Sequence, residues 1–130
     1  MAVTAPVTMT IFEDNGAICM ARIYGAAGTA VTQAAITGIS YKVFDLDSAT
    51  PYTAVSTGSL TVANVIFDTL QTGGPWDKDT TGYNFKDTRP ATNFTTGGHT
   101  YRIEYLVDPA SGENFFLPPF HVYCEPVHTS

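Results

Sequence analysis

The sequence predicts a single all-β domain over residues 1–130, and three observations favour that fold class. Glycine and proline recur at short intervals, which suits strands joined by turns better than long helices. Apolar and polar residues alternate in several short segments, as they do in half-buried strands. The apolar fraction is 44%, and a chain of this length has the size of one domain with one core.

The first part of the chain predicts two strands and an ambiguous stretch. Residues 3–12 alternate loosely and lead into Asp14-Asn15-Gly16, a turn of the Asn-Gly hairpin type, after which residues 17–24 form the second strand. Alanines in residues 29–36 would suit one helical turn. Because the stretch also contains residues that are stiff at χ1 and lacks a convincing cap, we interpret it as extended or loop, with a short helical turn as the exception.

The middle of the chain predicts further strands. Residues 39–45 alternate cleanly, which places every second side chain on one buried face. A segment near 53–55 is interpreted as an edge strand, and residues 60–67 as another strand with its apolar residues in the core.

An irregular region spans residues 68–96. A structureless loop of this length is uncommon inside a compact domain. We therefore predict an ordered excursion, pinned to the body of the domain by aromatic side chains, with a short strand at residues 83–85.

The C-terminal third contains the clearest alternation. Residues 101–107 form a strand, residues 108–112 a hairpin loop, and residues 113–117 the returning strand. Pro118-Pro119 interrupts that strand, since proline cannot donate to a ladder, and the alternation resumes at Phe120.

About seven short strands separated by turns predict an immunoglobulin-like antiparallel β-sandwich, with a small β-barrel as the alternative. The extended segments Met1–Pro6 and Pro126–Ser130 are interpreted as short terminal arms of that domain.

The charge balance excludes two classes of partner. The net charge is −6, and the six basic residues are scattered without any run of two. Nucleic-acid binding needs a basic footprint, and an anionic membrane would repel this chain. The N-terminal residues lack a basic region followed by an apolar one, so we expect no signal peptide of the usual secretory type.

The known catalytic and metal-binding motifs are missing from the sequence, and we expect neither enzymatic activity nor a cofactor. The three histidines, His99, His121 and His128, do not have the spacing of metal ligands. We interpret His99 and His128 as solvated surface residues, and His121 as facing outward from its strand.

Two acidic residues form the sharper of two candidate metal sites. Asp77-Lys-Asp79-Thr-Thr-Gly82 imitates the start of a calcium loop, which needs oxygen ligands at alternate positions and glycine at the sixth. However, Thr88 stands where such a loop places its bidentate glutamate. Asp45 and Asp47 form a second pair of this kind. Solvated turn aspartates are the commoner explanation of both.

Trp76, Tyr83 and Phe85 are the candidate binding residues. Together they would form an aromatic platform for a sugar, although anchoring the excursion is the favoured interpretation. Cys19 and Cys124 lie on predicted strands; two buried thiols are favoured over a disulfide, which would require oxidising surroundings.

Four stretches carry a resemblance to a known group of proteins. They are Ile36–Asp45, Val65–Leu70, the segment from Trp76 to Phe85, and Tyr101–Tyr105 with its glycine-containing hairpin. In these stretches the chain resembles small immunoglobulin-like proteins of the structural modules of tailed phages. The resemblance implies a place in the virion, in head decoration, the neck or the baseplate, and it implies no catalytic residue.

The expected function is therefore that of a capsid decoration protein, made in the host cytoplasm and docking on the head lattice. Its partners would be the major capsid protein or neighbouring copies, and a homo-oligomer is expected. The alternatives are a neck or baseplate component, a carbohydrate or cell-surface binding module, and a filament subunit that joins its neighbours by strand addition.

Overall fold

The computed structural model describes residues 3–4, 8–13, 15–25 and 28–126, and within them the chain forms ten strands. The strands are β1 (Val3–Thr4), β2 (Thr8–Phe12), β3 (Ala17–Ile23), β4 (Ile36–Asp45), β5 (Ala54–Leu60), β6 (Ile66–Gln71), β7 (Tyr83–Arg89), β8 (Thr100–Pro109), β9 (Phe115–Phe116) and β10 (Phe120–Glu125). The helical segments are one α-helical turn, α1 (Val62–Val65), and two 3-10 turns, Gln33–Ala35 and Ala91–Asn93. Across those ranges no helix has the length and apolarity needed to cross a membrane.

The strands form two sheets that face each other, so the predicted sandwich is confirmed. The smaller sheet has the order β1-β3-β7-β6, and the larger has the order β2-β10-β8-β4-β5 with β9 paired to β8. In an immunoglobulin-like sandwich the second and fifth main strands share one sheet, and the third, sixth and seventh share the other. Here β3 and β7 take the first pair of places, and β4, β8 and β10 take the other three.

The strands β4 and β8 are the centre of the larger sheet, and their alternation decides which side chains are buried. They pair antiparallel, with Ile39 opposite Val107 and Val43 opposite Ile103. All four of these residues are buried. The predicted inward faces of both strands are therefore confirmed, because alternate residues of a strand point to opposite sides of the sheet.

The predicted hairpin at the Asn-Gly turn is wrong. β2 pairs in parallel with β10 in the larger sheet, whereas β3 pairs with β1 and β7 in the smaller one. The turn therefore carries the chain from one sheet to the other. Gly16 is required there, because a Cβ at this position would come within 2.5 Å of the carbonyl oxygen of Arg89.

Residues 60–67 do not form the predicted continuous strand. β5 ends at Leu60, α1 follows, and β6 begins at Ile66, whose amide donates to the carbonyl of Val62. This single helical turn moves the chain from the edge of the larger sheet to the edge of the smaller one. A strand could not make that move without leaving its own sheet.

The excursion is shorter than predicted, and β7 is longer. β6 extends to Gln71 and β7 runs over Tyr83–Arg89, so the predicted region is irregular only over residues 72–82 and, after β7, over residues 90–96, which include a 3-10 turn. The strand signal of β7 is hidden in the sequence because Asp87 and Arg89, two charged residues, lie on its buried face. The count of ten strands, against about seven predicted, also includes the short β1 and β9.

The C-terminal hairpin is confirmed, although β8 extends to Pro109 and the returning strand is only Phe115–Phe116. β8 and β9 pair antiparallel around the hairpin loop, and β10 resumes after the proline pair. His121 is half-buried on the side of β10 opposite the buried Phe120 and Val122, so it faces outward as expected. Most of the two predicted terminal arms lies outside the described residues. Within the N-terminal one, Val3–Thr4 pairs with β3.

Candidate interaction surface

The segment of residues 72–82 covers part of the outer face of the smaller sheet. Met20 points out of β3, and the Trp76 ring packs there with Tyr83, whose ring centroid lies 5.7 Å from that of Trp76. Met20, Trp76 and Tyr83 are all buried. Phe85 belongs to a different cluster and is fully buried in the main core. The three predicted platform residues thus divide between two clusters, and none presents an open ring face.

An ion pair fixes the other end of this segment. Both carboxylate oxygens of Asp79 lie 2.8 Å from Nη1 of Arg22, and Oδ1 also accepts from the amides of Thr81 and Gly82. The hydrogen bond from Arg22 and those from the loop hold the pKa of Asp79 below its ordinary value. Trp76 adds a donor to the backbone oxygen of Asp79 at 3.1 Å.

The guanidinium of Arg22 therefore holds the carboxylate that a calcium ion at this loop would need as a ligand. Asp77 is exposed, and Asp79 is committed to Arg22. Within the described ranges, no three histidine, cysteine or acidic side chains come together in a way that could hold a metal ion.

A second ion pair lies inside the core, between the sheets. Asp87 on β7 accepts two hydrogen bonds from Arg89, at 2.7 and 3.2 Å, and one from the Tyr105 hydroxyl of β8 at 2.7 Å. The Arg89 guanidinium also lies 3.8 Å above the ring of Tyr41. Burial alone would lower the pKa of Arg89, but the hydrogen bonds and charge of Asp87 outweigh it and raise that pKa. The arrangement gives the buried carboxylate both a counter-charge and hydrogen-bond donors.

Cys19 borders this cluster. Burial raises the pKa of its thiol to about 12. Burial and the neighbouring Cys19 and Asp87 likewise raise the pKa of Tyr105 well above its ordinary value. Cys19 and Cys124 are both buried thiols with no disulfide between them, in agreement with the favoured interpretation of the sequence.

A third cluster of polar residues joins the end of β4 to the start of β8. The sequence did not predict this cluster. Nδ1 of His99 lies 2.8 Å from Oδ2 of Asp45, whose Oδ1 accepts from the amide of Asp47. Asp47 in turn accepts from the amide of Thr100 at 2.7 Å. His99 is therefore not the solvated residue that was expected.

The outer face of the larger sheet, which we call the open face, is the one broad surface of the described residues that collects exposed apolar side chains. Register determines its composition: Phe44 lies opposite Arg102, Lys42 opposite Glu104, and Leu106 opposite Phe116. Phe116 is 63% exposed, and Tyr52, in the turn before β5, is 93% exposed. Leu46 and Val55 are exposed beside them.

Several shallow grooves lie on the open face, and two of them are lined by Arg102. One of about 400 Å³ is lined by Phe44, Leu46, Pro51, Tyr52, Arg102 and Glu104. The other, of about 300 Å³, is lined by Arg102, Glu104, Phe116, Leu117 and Pro119. The two grooves share Arg102 and Glu104, which are hydrogen-bonded to each other at 2.8 Å. The open face therefore consists of two apolar halves separated by a neutral charge pair.

The sequence contained part of this signal. Phe44 and Leu106 occupy the polar positions of two otherwise alternating strands, which places apolar side chains on the solvent side. Their proximity to Phe116 depends on the register of three strands, which the pattern does not contain. Large apolar patches on otherwise polar surfaces are typical of sites that contact other molecules.

No protein-family model matches the chain, and no curated protein matches it to a significant degree. The fold is accordingly assigned from the strand order and the packing. By strand order and packing, the buried polar groups lie in structural positions. The open face is therefore the candidate site.

Proposed function

We propose that this chain is a non-enzymatic virion structural protein of a tailed phage, a capsid decoration protein that docks on the head lattice through the open face. The observation that carries the docking role is the grouping of Phe44, Tyr52 and Phe116 around the Arg102–Glu104 pair. The virion itself is inferred from the resemblance of the β4, β6 and β8 segments and the Trp76–Phe85 segment to phage immunoglobulin-like proteins.

The two faces of the sandwich differ in a way that supports this proposal. Residues 72–82 cover part of the outer face of the smaller sheet, where Trp76 packs over Met20. No comparable segment lies over the open face within the described residues, and Tyr52 and Phe116 remain exposed. Burying exposed apolar area on a partner releases about 25 cal/mol per Å² before the costs of association.

The polar groups of the open face suit a protein partner. Aromatic side chains with an arginine at the centre are typical of the residues that contribute most to protein interfaces. Because Arg102 and Glu104 are paired with each other, docking over this pair would leave neither of the two charges without its partner. The face is also free of the basic clusters that nucleic acid would require.

The test is recovery of the protein with particles. Particles purified by density gradient from a lysate of the host that carries the gene should contain this chain, detected by mass spectrometry. A copy number close to that of the major capsid protein supports decoration, whereas the copy number of a single ring supports the neck or baseplate. Recovery only in the soluble fraction would contradict the virion role.

The docking face is tested by the double variant Tyr52→Ser/Phe116→Ser, which should reduce the amount of protein on the particles. The matched control is Ile18→Ser, since Ile18 is 40% exposed on the smaller sheet. Equal loss from both variants would contradict docking through the open face. A positive glycan array whose signal the double variant abolishes would instead assign this face to carbohydrate.

A further inference from the structure

In the described residues the strand orders end in four edge strands, β1 and β6 in the smaller sheet and β2 and β5 in the larger one, and the two-residue β9 lies off this path. Each edge strand has unpaired backbone groups that another chain can join. Natural proteins protect such edges with short strands, charged residues, proline, bulges or a covering segment. The four edges of this chain differ in these protections.

Three edges are protected. β1 has two residues, and β2 has five and runs directly into the acidic Glu13-Asp14. β6 carries Asp68, and its ladder with β7 shifts register between its two ends. Gln33 covers β6 as well, because its Nε2 donates to the carbonyl of Ile66 and its amide donates to Asp68.

The β5 edge has only one of these protections, a register shift at Val55 near its start. It is seven residues long, contains no proline, and pairs with β4 in continuous register from Leu60 to Ser56. No charged residue lies anywhere between Asp47 and Asp68. In the described residues β4 is its one hydrogen-bonded strand. Val55, Thr57 and Ser59 are exposed along it.

We propose that a second copy of this chain pairs antiparallel with β5, so that the larger sheets of two molecules join into one sheet across a twofold axis. The centre of the strand is Thr57. Full pairing then places Thr57 opposite Thr57 of the second copy and Val55 opposite its Ser59. Threonine pairs and pairs of small polar and β-branched residues are favourable across neighbouring antiparallel strands.

The absence of charged side chains along the β5 edge is the reason that we assign a second copy of this chain as the partner. Two molecules of net charge −6 repel each other, and an interface between them must lie where that repulsion is weakest. The β5 edge meets this condition, because it brings no charged side chain of either copy into the contact. Lys42 lies opposite Thr57 on β4. Its counterpart would be three strand spacings away, about 14 Å, which exceeds the Debye length of about 8 Å in physiological salt.

This pairing does not depend on the virion role. It uses the edge of the larger sheet, whereas docking uses the open face, so both contacts can form at once. A pair of chains joined through β5 would present two open faces side by side.

The experiment is size-exclusion chromatography with light scattering over a range of concentrations. The native protein should change from 13.9 kDa to twice that mass as its concentration rises. Thr57→Lys places two like charges opposite each other at the centre of the pair and should weaken dimerisation by at least about tenfold. It also lowers the net negative charge, so a general increase in repulsion cannot explain the loss.

Two controls define the contact. Thr69→Lys makes the same change at an exposed position of the protected β6 edge, and it should dimerise like the native protein. Tyr52→Ser/Phe116→Ser should also remain dimeric. A native protein that stays at 13.9 kDa would overturn the proposal, and so would a Thr57→Lys variant that dimerises as tightly as the native chain.

A second measurement needs no variant. Amide hydrogen exchange of the native protein should slow in residues 54–60 as concentration rises, with no matching change in residues 66–71. Concentration-dependent protection of another segment in place of residues 54–60 would contradict pairing at β5. Because the particle assay reports on the open face alone, failure of either proposal can be recognised separately.

Discussion

The hydroxyl of Tyr105 donates to Oδ2 of Asp87 at 2.7 Å, in a hydrogen bond that joins the two sheets inside the core. Asp87 belongs to the smaller sheet and Tyr105 to the larger one. The same carboxylate holds Arg89, whose guanidinium lies over the ring of Tyr41. A buried carboxylate is tolerated here because it is both ion-paired and hydrogen-bonded.

Tyr105→Phe should destabilise the domain by about 1–2 kcal/mol, because it leaves a buried acceptor short of one donor. Asp87→Ala should cost more, about 3–5 kcal/mol, since it leaves the Arg89 charge buried without its partner. Urea unfolding measures both changes. The control is Tyr123→Phe, whose ring is 39% exposed on β10, and whose effect should stay within about 0.5 kcal/mol. Equal effects of the two tyrosine changes would contradict the role of the inter-sheet hydrogen bond.

The Arg22–Asp79 pair should make the excursion sensitive to acid. The folded pKa of Asp79 lies below its ordinary value of 3.8, chiefly because of Arg22, so the unfolded chain binds a proton first as pH falls. The stability that the pair contributes is present above the unfolded pKa and is lost as pH falls through the folded one. Unfolding free energies measured between about pH 5 and 2 should therefore fall less steeply in Asp79→Asn than in the native protein.

The exposed Asp77→Asn supplies the control for that acid profile. It removes the same charge from the same segment and leaves the pair with Arg22 in place. If both variants show the same acid profile, the ion pair does not stabilise the folded state.

The two thiols should be unreactive in the folded protein. Cys19 and Cys124 are fully buried, and burial raises the pKa of Cys19 to about 12, so its thiolate is scarce at neutral pH. A colorimetric thiol reagent should detect neither cysteine in the native state and both in urea without reductant. Detection of neither in urea would indicate a disulfide, and fast labelling of the native protein would contradict the burial.

Trp76→Ala should detach residues 72–82 from the smaller sheet. The ring packs on Met20 and Tyr83 and donates to Asp79, and its removal would leave those groups without cover. The loss should be about 3 kcal/mol or more if the segment folds with the rest of the domain. Limited proteolysis should then cut first within residues 72–82. Trp76→Phe, which keeps an aromatic ring, should be cut more slowly; equal cleavage of both variants and the native protein would contradict the anchoring role.

Local pattern predicted much of the fold. Residues 39–45 and 101–107 alternate with period two, so their strands and their buried faces follow from the sequence alone. The β8–β9 hairpin also follows, because turn residues separate two apolar runs that are near each other in the chain. The Asn-Gly turn led to a wrong hairpin prediction. Turn residues determine where the chain bends, but they do not determine which strands pair on either side of the turn.

The sequence by itself determined the fold class, the central strands and the burial of the two cysteines, because strand period and apolar content are properties of neighbouring residues. Only the tertiary structure decided the pairs Arg22–Asp79, Asp45–His99 and Asp87–Tyr105, whose members lie on different strands or loops. The same holds for the open face and for the weakly protected β5 edge. Both depend on strand order and register, which the whole chain establishes when it brings distant strands together.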